Sequence, residues 1–236
     1  MNPQTYKEAE DLVAAIIKST KVVKGVEIVL CPPFTWLTDF SHKNESAIAF
    51  GAQDVFYEEK GAFTGEISPQ MLKSSKVDYV IIGHSERRKY FGETNETVNK
   101  KIKAVLKEGL KVIFCVGENE GQEKQTILEN QVAEGLKGTT KEELKHVTIA
   151  YEPVWAIGTG KNCSTDETMK AMILIRKIVT NLYNREAADN VKLLYGGSVS
   201  AQNSADYLKN GGVNGLLVGG ASLKPEEFIA IIKSIS

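Results

Sequence analysis

The sequence predicts an α/β domain in which helices cover a parallel β-sheet. Segments with strand and helix character alternate along the 236 residues, which is the order that successive βαβ units produce. The strand segments are continuous apolar runs such as Tyr79–Ile82, and such runs are typical of strands buried on both faces of a parallel sheet. No linker or low-complexity segment interrupts the alternation, so we expect one domain over residues 1–236.

Seven apolar runs of strand length are bounded by turn residues. The predicted strands are Val26–Leu30, Ala47–Ala52, Tyr79–Ile82, Val112–Val116, Val147–Tyr151, Lys192–Tyr195 and Gly215–Val218.

Eight helices are predicted from apolar periodicity and capping residues. The first has Asn2 as N-cap and Pro3 at its first position. A capping box, Ser164-x-x-Glu167, opens the sixth, and Gly109 follows the fourth as a cap. The remaining predicted helices are Thr35–His42, Pro69–Lys73, Thr94–Lys107, Glu123–Leu136, Asp166–Tyr183, Asn203–Lys209 and Pro225–Ser234. Because the chain opens on a helix, a closed eight-stranded (β/α)8 barrel would lack its first strand.

Composition excludes several classes of protein. The formal net charge is −1, which gives no support to nucleic acid or an anionic membrane as a partner. No apolar run reaches the ~18 residues of a membrane span, and the polar N-terminus predicts no signal peptide. The 3 cysteines form no metal-binding or disulfide pattern. We therefore expect a cytoplasmic protein without a metal site.

Glu152 is the first candidate catalytic residue. It ends a strand, Pro153 prevents that strand from continuing, and an apolar segment with Gly158 and Gly160 follows. The carboxylate is therefore predicted to lie beneath a loop. Such a lid suits a base that takes a proton from carbon, because excluding water makes the base more effective. A solvated carboxylate at an ordinary strand end is the alternative.

His84 is the second candidate. It follows a strand and precedes a predicted helical turn, Glu86–Tyr90. A helix N-terminus disfavours imidazolium, so we expect a neutral His84 that can donate an N–H to a carbonyl group. A core histidine with satisfied hydrogen bonds is the alternative.

Glycine pairs suggest a phosphate site. Gly196-Gly197-Ser198 and Gly219-Gly220 each follow one of the last two strands. Adjacent glycines allow several backbone N–H groups to converge on an anion, and α/β barrels often bind phosphate after strands seven and eight. Tight turns that need glycine are the alternative.

The other polar and reactive residues are interpreted as structural or solvated. We expect His42 and His146 to be solvated, and Cys115, which lies inside a strand, to act as a small buried hydrophobe. The carboxylates after the second strand indicate a solvated loop and not a metal cluster: Asp54, Glu58 and Glu59.

Four segments carry a family resemblance: Gly83–Arg88, Tyr151–Gly160, Tyr195–Ser198 and Leu217–Ser222. Together they resemble the triosephosphate isomerase family, in the family's order and with similar spacings over nearly the whole chain. The resemblance implies a TIM barrel that interconverts dihydroxyacetone phosphate and glyceraldehyde 3-phosphate through an enediolate, with no cofactor.

The resemblance also assigns roles that are known features of the family. Glu152 matches the base that moves the proton between two carbons, and His84 matches the neutral electrophile that polarises the carbonyl. The residues that match the phosphate-binding groups are Gly158, Ser198, Gly219 and Gly220. The lid residues are Pro153, Val154, Trp155, Ala156, Ile157, Thr159, Gly160 and Lys161.

Ile157 and Leu217 resemble the apolar residues that cover the base in the family.

The resemblance also implies a partner subunit. The family is typically a homodimer, and Gly61–Ser68 matches the loop that inserts into the partner subunit. The far hinge of the lid reads Lys161-Asn162-Cys163, where small residues are commoner, so we expect altered lid kinetics.

The start of the chain departs from the family pattern. Family members begin with a strand and an Asn-x-Lys-Met-Asn-like segment, and Met1-Asn2 resembles the last two residues of that segment. The family's lysine meets the substrate and pairs with the carboxylate at Glu86, which is why Glu86 joins the candidate catalytic residues. A late start codon, a deliberate truncation or a natural variant each account for this departure.

Three expectations follow from the absent lysine and strand. Losing one preorganised hydrogen-bond donor lowers the catalytic rate on the order of 10²–10³-fold. Glu86 is expected to have a raised pKa or to move toward solvent. A gap or a local rearrangement is expected between the strands Val26–Leu30 and Gly215–Val218. An isomerase with impaired activity is therefore the first hypothesis, and a folded, inactive phosphate-binding barrel is the second.

Overall fold

Seven parallel strands form one sheet in the computed structural model, which describes residues 2–157 and 162–236. Each strand pairs with the next along the chain, in the order β1 to β7. The strands are β1 (Val29–Leu30), β2 (Ala49–Ala52), β3 (Tyr79–Ile82), β4 (Lys111–Val116), β5 (Val147–Tyr151), β6 (Lys192–Tyr195) and β7 (Gly215–Leu216). The prediction of seven parallel strands is confirmed.

Eleven α-helices lie within the described part of the chain, so the prediction of eight was too low. They are α1 (Tyr6–Thr20), α2 (Phe34–His42), α3 (Pro69–Ser74), α4 (Ser85–Phe91), α5 (Asn95–Lys107), α6 (Lys124–Gly135), α7 (Lys141–Leu144), α8 (Thr165–Leu182), α9 (Arg185–Asn190), α10 (Ser204–Asn210) and α11 (Pro225–Ser234). Two short 3₁₀ turns lie at Val154–Ala156 and Gly220–Leu223. The additional helices are α4, α7 and α9, which are short.

Helix starts follow the capping side chains. The prediction that Asn2 caps the first helix is wrong: α1 begins at Tyr6 because the side chain of Thr5 accepts the amide of Glu8. The helix predicted from Thr94 begins one residue later, at Asn95, because the side chain of Thr94 caps α5. Ser164 accepts the amide of Glu167 at the start of α8, which is one of the two bonds of the predicted capping box.

Both faces of the sheet are buried, because successive side chains of a strand point to opposite faces. Val80 and Ile82 face the helices and join the main core, which runs from Ala9 in α1 to Ile232 in α11. Their neighbours face inward and form a second cluster: Tyr79, Ile81, Ile113, Cys115 and Ala150. Residues of both end regions of the sheet pack on this inner cluster, so the sheet is curled.

A gap separates the two end strands of the curled sheet, as the sequence predicted. Among the described residues, no strand pairs with the outer edge of β1 or of β7. A cavity of about 570 Å³ lies between them, and side chains of α1 and α11 line it. Both end strands are shorter than predicted, because only one edge of each has a pairing partner. None of the helices in the described chain is long and apolar enough to cross a membrane.

Candidate active site

Glu152 lies at the C-terminal end of β5 and is almost fully buried, with 2% of its surface exposed. Its backbone N–H donates to the carbonyl of Val116 at the end of β4. Gly117 permits this close approach, because a Cβ at Gly117 would lie 1.7 Å from the carbonyl oxygen of Glu152. The strand ends therefore fix the backbone of the candidate base.

The Glu152 carboxylate is held by an imidazole and by a backbone N–H. Nε2 of His84 is 2.9 Å from Oε1, and the backbone N–H of Ser85 donates to Oε2 at 2.9 Å. The sequence placed His84 and Glu152 at the ends of different strands, and the structure brings them into direct contact. The Ser85 amide was missed, because backbone donors leave no compositional signal.

His84 links the end of β3 to the start of α4. Gly83 precedes it with φ +74°, and a side chain there would meet the Cys115 carbonyl at 3.2 Å. The Nδ1 atom of His84 accepts the backbone N–H of Glu86 at 3.3 Å and caps α4. An accepting Nδ1 carries no proton, so in the neutral imidazole the proton is on Nε2 and points at Glu152.

The charge of His84 depends on its carboxylate neighbours. Burial lowers the pKa of the imidazole, but the hydrogen bond to Glu152 and the negative charges of Glu152 and Glu86 more than offset burial. The net pKa is therefore raised from its ordinary value. This direction is opposite to the one expected from the helix N-terminus alone.

Glu86 is the third candidate catalytic residue. Its side chain is 67% exposed, and its ion-pair contact within the described chain is with Nδ1 of His84 at 3.8 Å. This exposure agrees with the expected position of Glu86 toward solvent.

The candidate lid begins with the 3₁₀ turn Val154–Ala156, and Glu118 holds this turn. The Glu118 carbonyl accepts the Val154 amide at 3.0 Å. Its carboxylate accepts the Tyr151 hydroxyl at 2.9 Å and the Trp155 indole N–H at 3.1 Å. Glu118 is 3% exposed, and burial raises the pKa of the Tyr151 phenol. Sequence reasoning missed Glu118, although a carboxylate two residues after the end of a strand resembles the signal that identified Glu152.

The candidate phosphate-binding residues lie after the last two strands. The Ser198 hydroxyl donates to the Ala156 carbonyl at 2.7 Å, which ties this loop to the start of the lid. Gly219 and Gly220 are exposed, and a Cβ at either position would meet no atom within 4 Å. The other predicted phosphate and lid residues lie outside the described residues: Gly158, Thr159, Gly160 and Lys161.

A buried network of four charges supports α4. Lys101 pairs with Asp54 at 2.6 Å and with Glu93. Arg87 pairs with the same two carboxylates at 2.9 and 2.7 Å. The interpretation of Asp54 as a solvated residue is therefore wrong, because its carboxylate is needed to neutralise a buried lysine. Burial raises the pKa of Asp54, although Lys101 opposes the shift.

The expected exposure of the other histidines and of two loop carboxylates, and the expected burial of Cys115, are confirmed. His42, His146, Glu58 and Glu59 are exposed. Cys115 is fully buried, and burial raises the pKa of its thiol well above the ordinary value. Within the described residues, no group of three or more His, Cys, Asp or Glu side chains could hold a metal ion.

A carboxylate and an imidazole in hydrogen-bond contact are the groups that proton transfer requires. They meet at the C-terminal edge of a parallel sheet, where α/β barrels have their active sites. Fold and position together place the chain in the class of α/β enzymes.

Comparison with known proteins identifies the family. The family model described as triosephosphate isomerase matches residues 1–235. Triosephosphate isomerase of Dictyoglomus thermophilum is 48% identical over 236 residues, covering 98% of this chain and 95% of the relative. The enzyme of Carboxydothermus hydrogenoformans is 49% identical over 235 residues, covering 98% and 94%. The chain belongs to the triosephosphate isomerase family and is an isomerase.

Proposed function

We propose that the chain interconverts dihydroxyacetone phosphate and D-glyceraldehyde 3-phosphate through an enediolate, without a cofactor and within one domain over residues 1–236. The observation that carries the proposal is the buried Glu152 carboxylate 2.9 Å from the His84 imidazole. The names of the relatives support a triose phosphate as the substrate.

Glu152 is the proposed base. Its carboxylate takes a proton from carbon 1 of dihydroxyacetone phosphate, and the electron pair moves toward the carbonyl to form the enediolate. The same carboxyl group returns the proton to carbon 2, which gives the aldehyde. Burial supports this role, because a carboxylate shielded from water is a more effective base toward carbon.

His84 is the proposed electrophile, which polarises the carbonyl and transfers the proton between the two substrate oxygens. Substrate must replace Glu152 as the acceptor of the Nε2–H. Once that contact is lost, burial and the helix N-terminus both lower the pKa of His84. Substrate binding therefore favours the neutral imidazole, which can donate to the carbonyl without first becoming charged.

Ser198, Gly219, Gly220 and Gly158 are the proposed phosphate ligands. The open space around the two exposed glycines supports a bound anion there, because backbone N–H groups can approach a phosphate closely where no side chain intervenes. The lid segment is proposed to exclude water from the enediolate. The bonds of Glu118 and Ser198 to its first turn support this role.

We also propose a homodimer through Gly61–Ser68, in a cytoplasmic protein with no nucleic-acid or membrane partner. Phe63 in this loop is 41% exposed and packs on Phe56, so it presents apolar surface beyond the fold. Light scattering after size exclusion measures the oligomeric state, and a monomer at micromolar concentration would contradict the dimer.

The gap between β1 and β7 is the proposed place of an eighth parallel strand. Both facing edges are free within the described chain, and the cavity between them is lined largely by apolar residues. We propose that activity is lowered because the Glu86 carboxylate has no lysine or arginine beside it within the described residues. The exposure of the Glu86 side chain supports this.

The deciding experiment measures kcat/KM for glyceraldehyde 3-phosphate in the unaltered chain and in Glu152→Gln. We expect the variant to lose about 10²–10⁴-fold, the usual contribution of a general base, and to keep its affinity for inorganic phosphate. The control is Glu120→Gln, an exposed carboxylate after the adjacent strand, which should leave kcat/KM unchanged.

Either of two results would contradict the proposal. Equal turnover by Glu152→Gln would show that Glu152 is not the base. Binding of inorganic phosphate by the unaltered chain with no detectable isomerisation would favour the second hypothesis, a folded but inactive phosphate-binding barrel.

A further inference from the structure

Two tyrosines are stacked beneath the candidate phosphate loop. Tyr195 ends β6 and Tyr207 lies in α10, and their ring centroids are 4.0 Å apart with an interplanar angle of 20°. Both are buried, with 0% and 2% of their surface exposed. Burial raises the pKa of each phenol, so both hydroxyls stay protonated at neutral pH.

The Tyr207 hydroxyl joins two segments of the site. It donates to the backbone carbonyl of Cys163 at 2.6 Å, directly before the N-cap of α8. Its oxygen is also 3.2 Å from the Tyr195 hydroxyl. Tyr207 therefore connects the start of α8 to the aromatic ring at the end of β6.

Tyr195 in turn supports Gly197. A Cβ at Gly197 would lie 2.2 Å from the Tyr195 hydroxyl oxygen and 2.5 Å from its ring carbon Cζ. The phenol is thus in direct contact with the backbone that leads into Ser198, and its position limits how that backbone can turn.

We infer that Tyr207 is a positioning residue for phosphate binding: it fixes the Tyr195 ring, and the ring fixes the backbone of Gly197 and Ser198. This inference rests on the proposed function of that loop. Binding energy from the phosphate, remote from the reacting carbons, is used to orient the substrate in the transition state. A loosened loop should therefore weaken phosphate binding and slow turnover together, without changing Glu152 or His84.

The test compares Tyr207→Phe and Tyr207→Leu with the unaltered chain. Phenylalanine keeps the stacked ring and removes the hydroxyl, whereas leucine removes both. The matched control is Tyr183→Phe, which deletes another tyrosine bond to a backbone carbonyl, that of Leu136. Calorimetry measures the dissociation constants of inorganic phosphate and 2-phosphoglycolate, and thermal unfolding confirms that each variant is folded.

Tyr207→Phe should weaken 2-phosphoglycolate binding roughly threefold to tenfold, the range for one lost hydrogen bond, and Tyr207→Leu should weaken it further. The pH profile of kcat/KM and the slow turnover of phosphate-free glyceraldehyde should not change. Wild-type affinity in both Tyr207 variants, or an equal loss in Tyr183→Phe, would overturn the inference. If the unaltered chain binds neither ligand, the proposed function itself fails, and the role of Tyr207 fails with it.

Discussion

At the scale of single residues, the charge of His84 is decided by its contact with Glu152. Burial alone would lower the pKa of the imidazole, and the neighbouring carboxylates raise it above the ordinary value. A group whose folded-state pKa is raised stabilises the protein below its unfolded pKa of about 6.5. That contribution is lost as the pH rises through the folded value.

Glu152→Gln should reverse the sign of this shift. The amide carries no charge, so burial becomes the largest influence and the pKa of His84 should fall below about 6.5. The variant should then be destabilised at acidic pH, where the buried imidazole must be protonated. An NMR titration of the imidazole protons measures the pKa of His84 directly.

Glu86→Gln is the control for this titration. Its carboxylate is mostly exposed and lies 3.8 Å from Nδ1, so its removal should lower the pKa of His84 less than removal of the Glu152 charge. An unchanged pKa in Glu152→Gln would mean that the contact between the two side chains is absent in solution.

Which site residues could be predicted depended on the kind of signal they carry. Glu152 and His84 were predicted because each is a polar side chain within two residues of the end of an apolar strand. The Ser85 amide and Tyr207 were not, because their roles depend on distances between segments 67 and 44 residues apart. The His84 shift was also missed, since it arises from a partner that the sequence places far away.

At the scale of elements, the charge network of Asp54, Arg87, Glu93 and Lys101 fastens α4 and α5 to the loop after β2. The Lys101 side chain is 7% exposed and the Glu93 side chain 6%. Buried ions of this kind are stable only with their partners present, because each alone bears an uncompensated desolvation penalty. The network therefore holds the helix whose first residues contact Glu152.

Lys101→Met should lower the free energy of unfolding by about 3–5 kcal/mol, the usual cost of leaving buried charges without a partner. The loss should be larger at pH 8 than at pH 5, because protonated carboxyls no longer need the lysine. Urea unfolding at both pH values measures this loss of unfolding free energy. Lys100→Met, at the adjacent position of α5, removes a lysine that pairs with the exposed Glu96 and should have no measurable effect. Equal effects of the two substitutions would contradict a stabilising network.

Element boundaries were predictable where the pattern is local and strong. Tyr79–Ile82 and Lys192–Tyr195 have the predicted bounds because each apolar run is paired on both sides. The helices α7 and α9 were missed because they have only 4 and 6 residues, too few for apolar periodicity to appear. Their starts depend instead on single caps, Thr140 and Asn184.

At the scale of the whole molecule, the open side of the sheet is the main departure from a closed barrel. The edges of β1 and β7 that face the gap present backbone groups to a cavity of about 570 Å³. Exposed strand edges are templates for pairing with another strand. An apolar gap flanked by two parallel edges therefore favours an extended segment that can bond to both.

A peptide supplied in trans tests this property. We expect a peptide of about six alternating Val and Ile residues, the usual length of a strand, flanked by lysines for solubility, to bind parallel to both edges. It should raise the melting temperature with increasing concentration, as any ligand of the folded state does. Amides of β1 and β7 that face the gap should become protected from hydrogen exchange.

The control peptide carries proline at its centre, which removes one backbone donor, so the peptide cannot complete the hydrogen-bond ladder. Equal stabilisation by both peptides would mean that the cavity binds apolar side chains without forming a paired strand. No stabilisation by either peptide would mean that the gap is closed in solution.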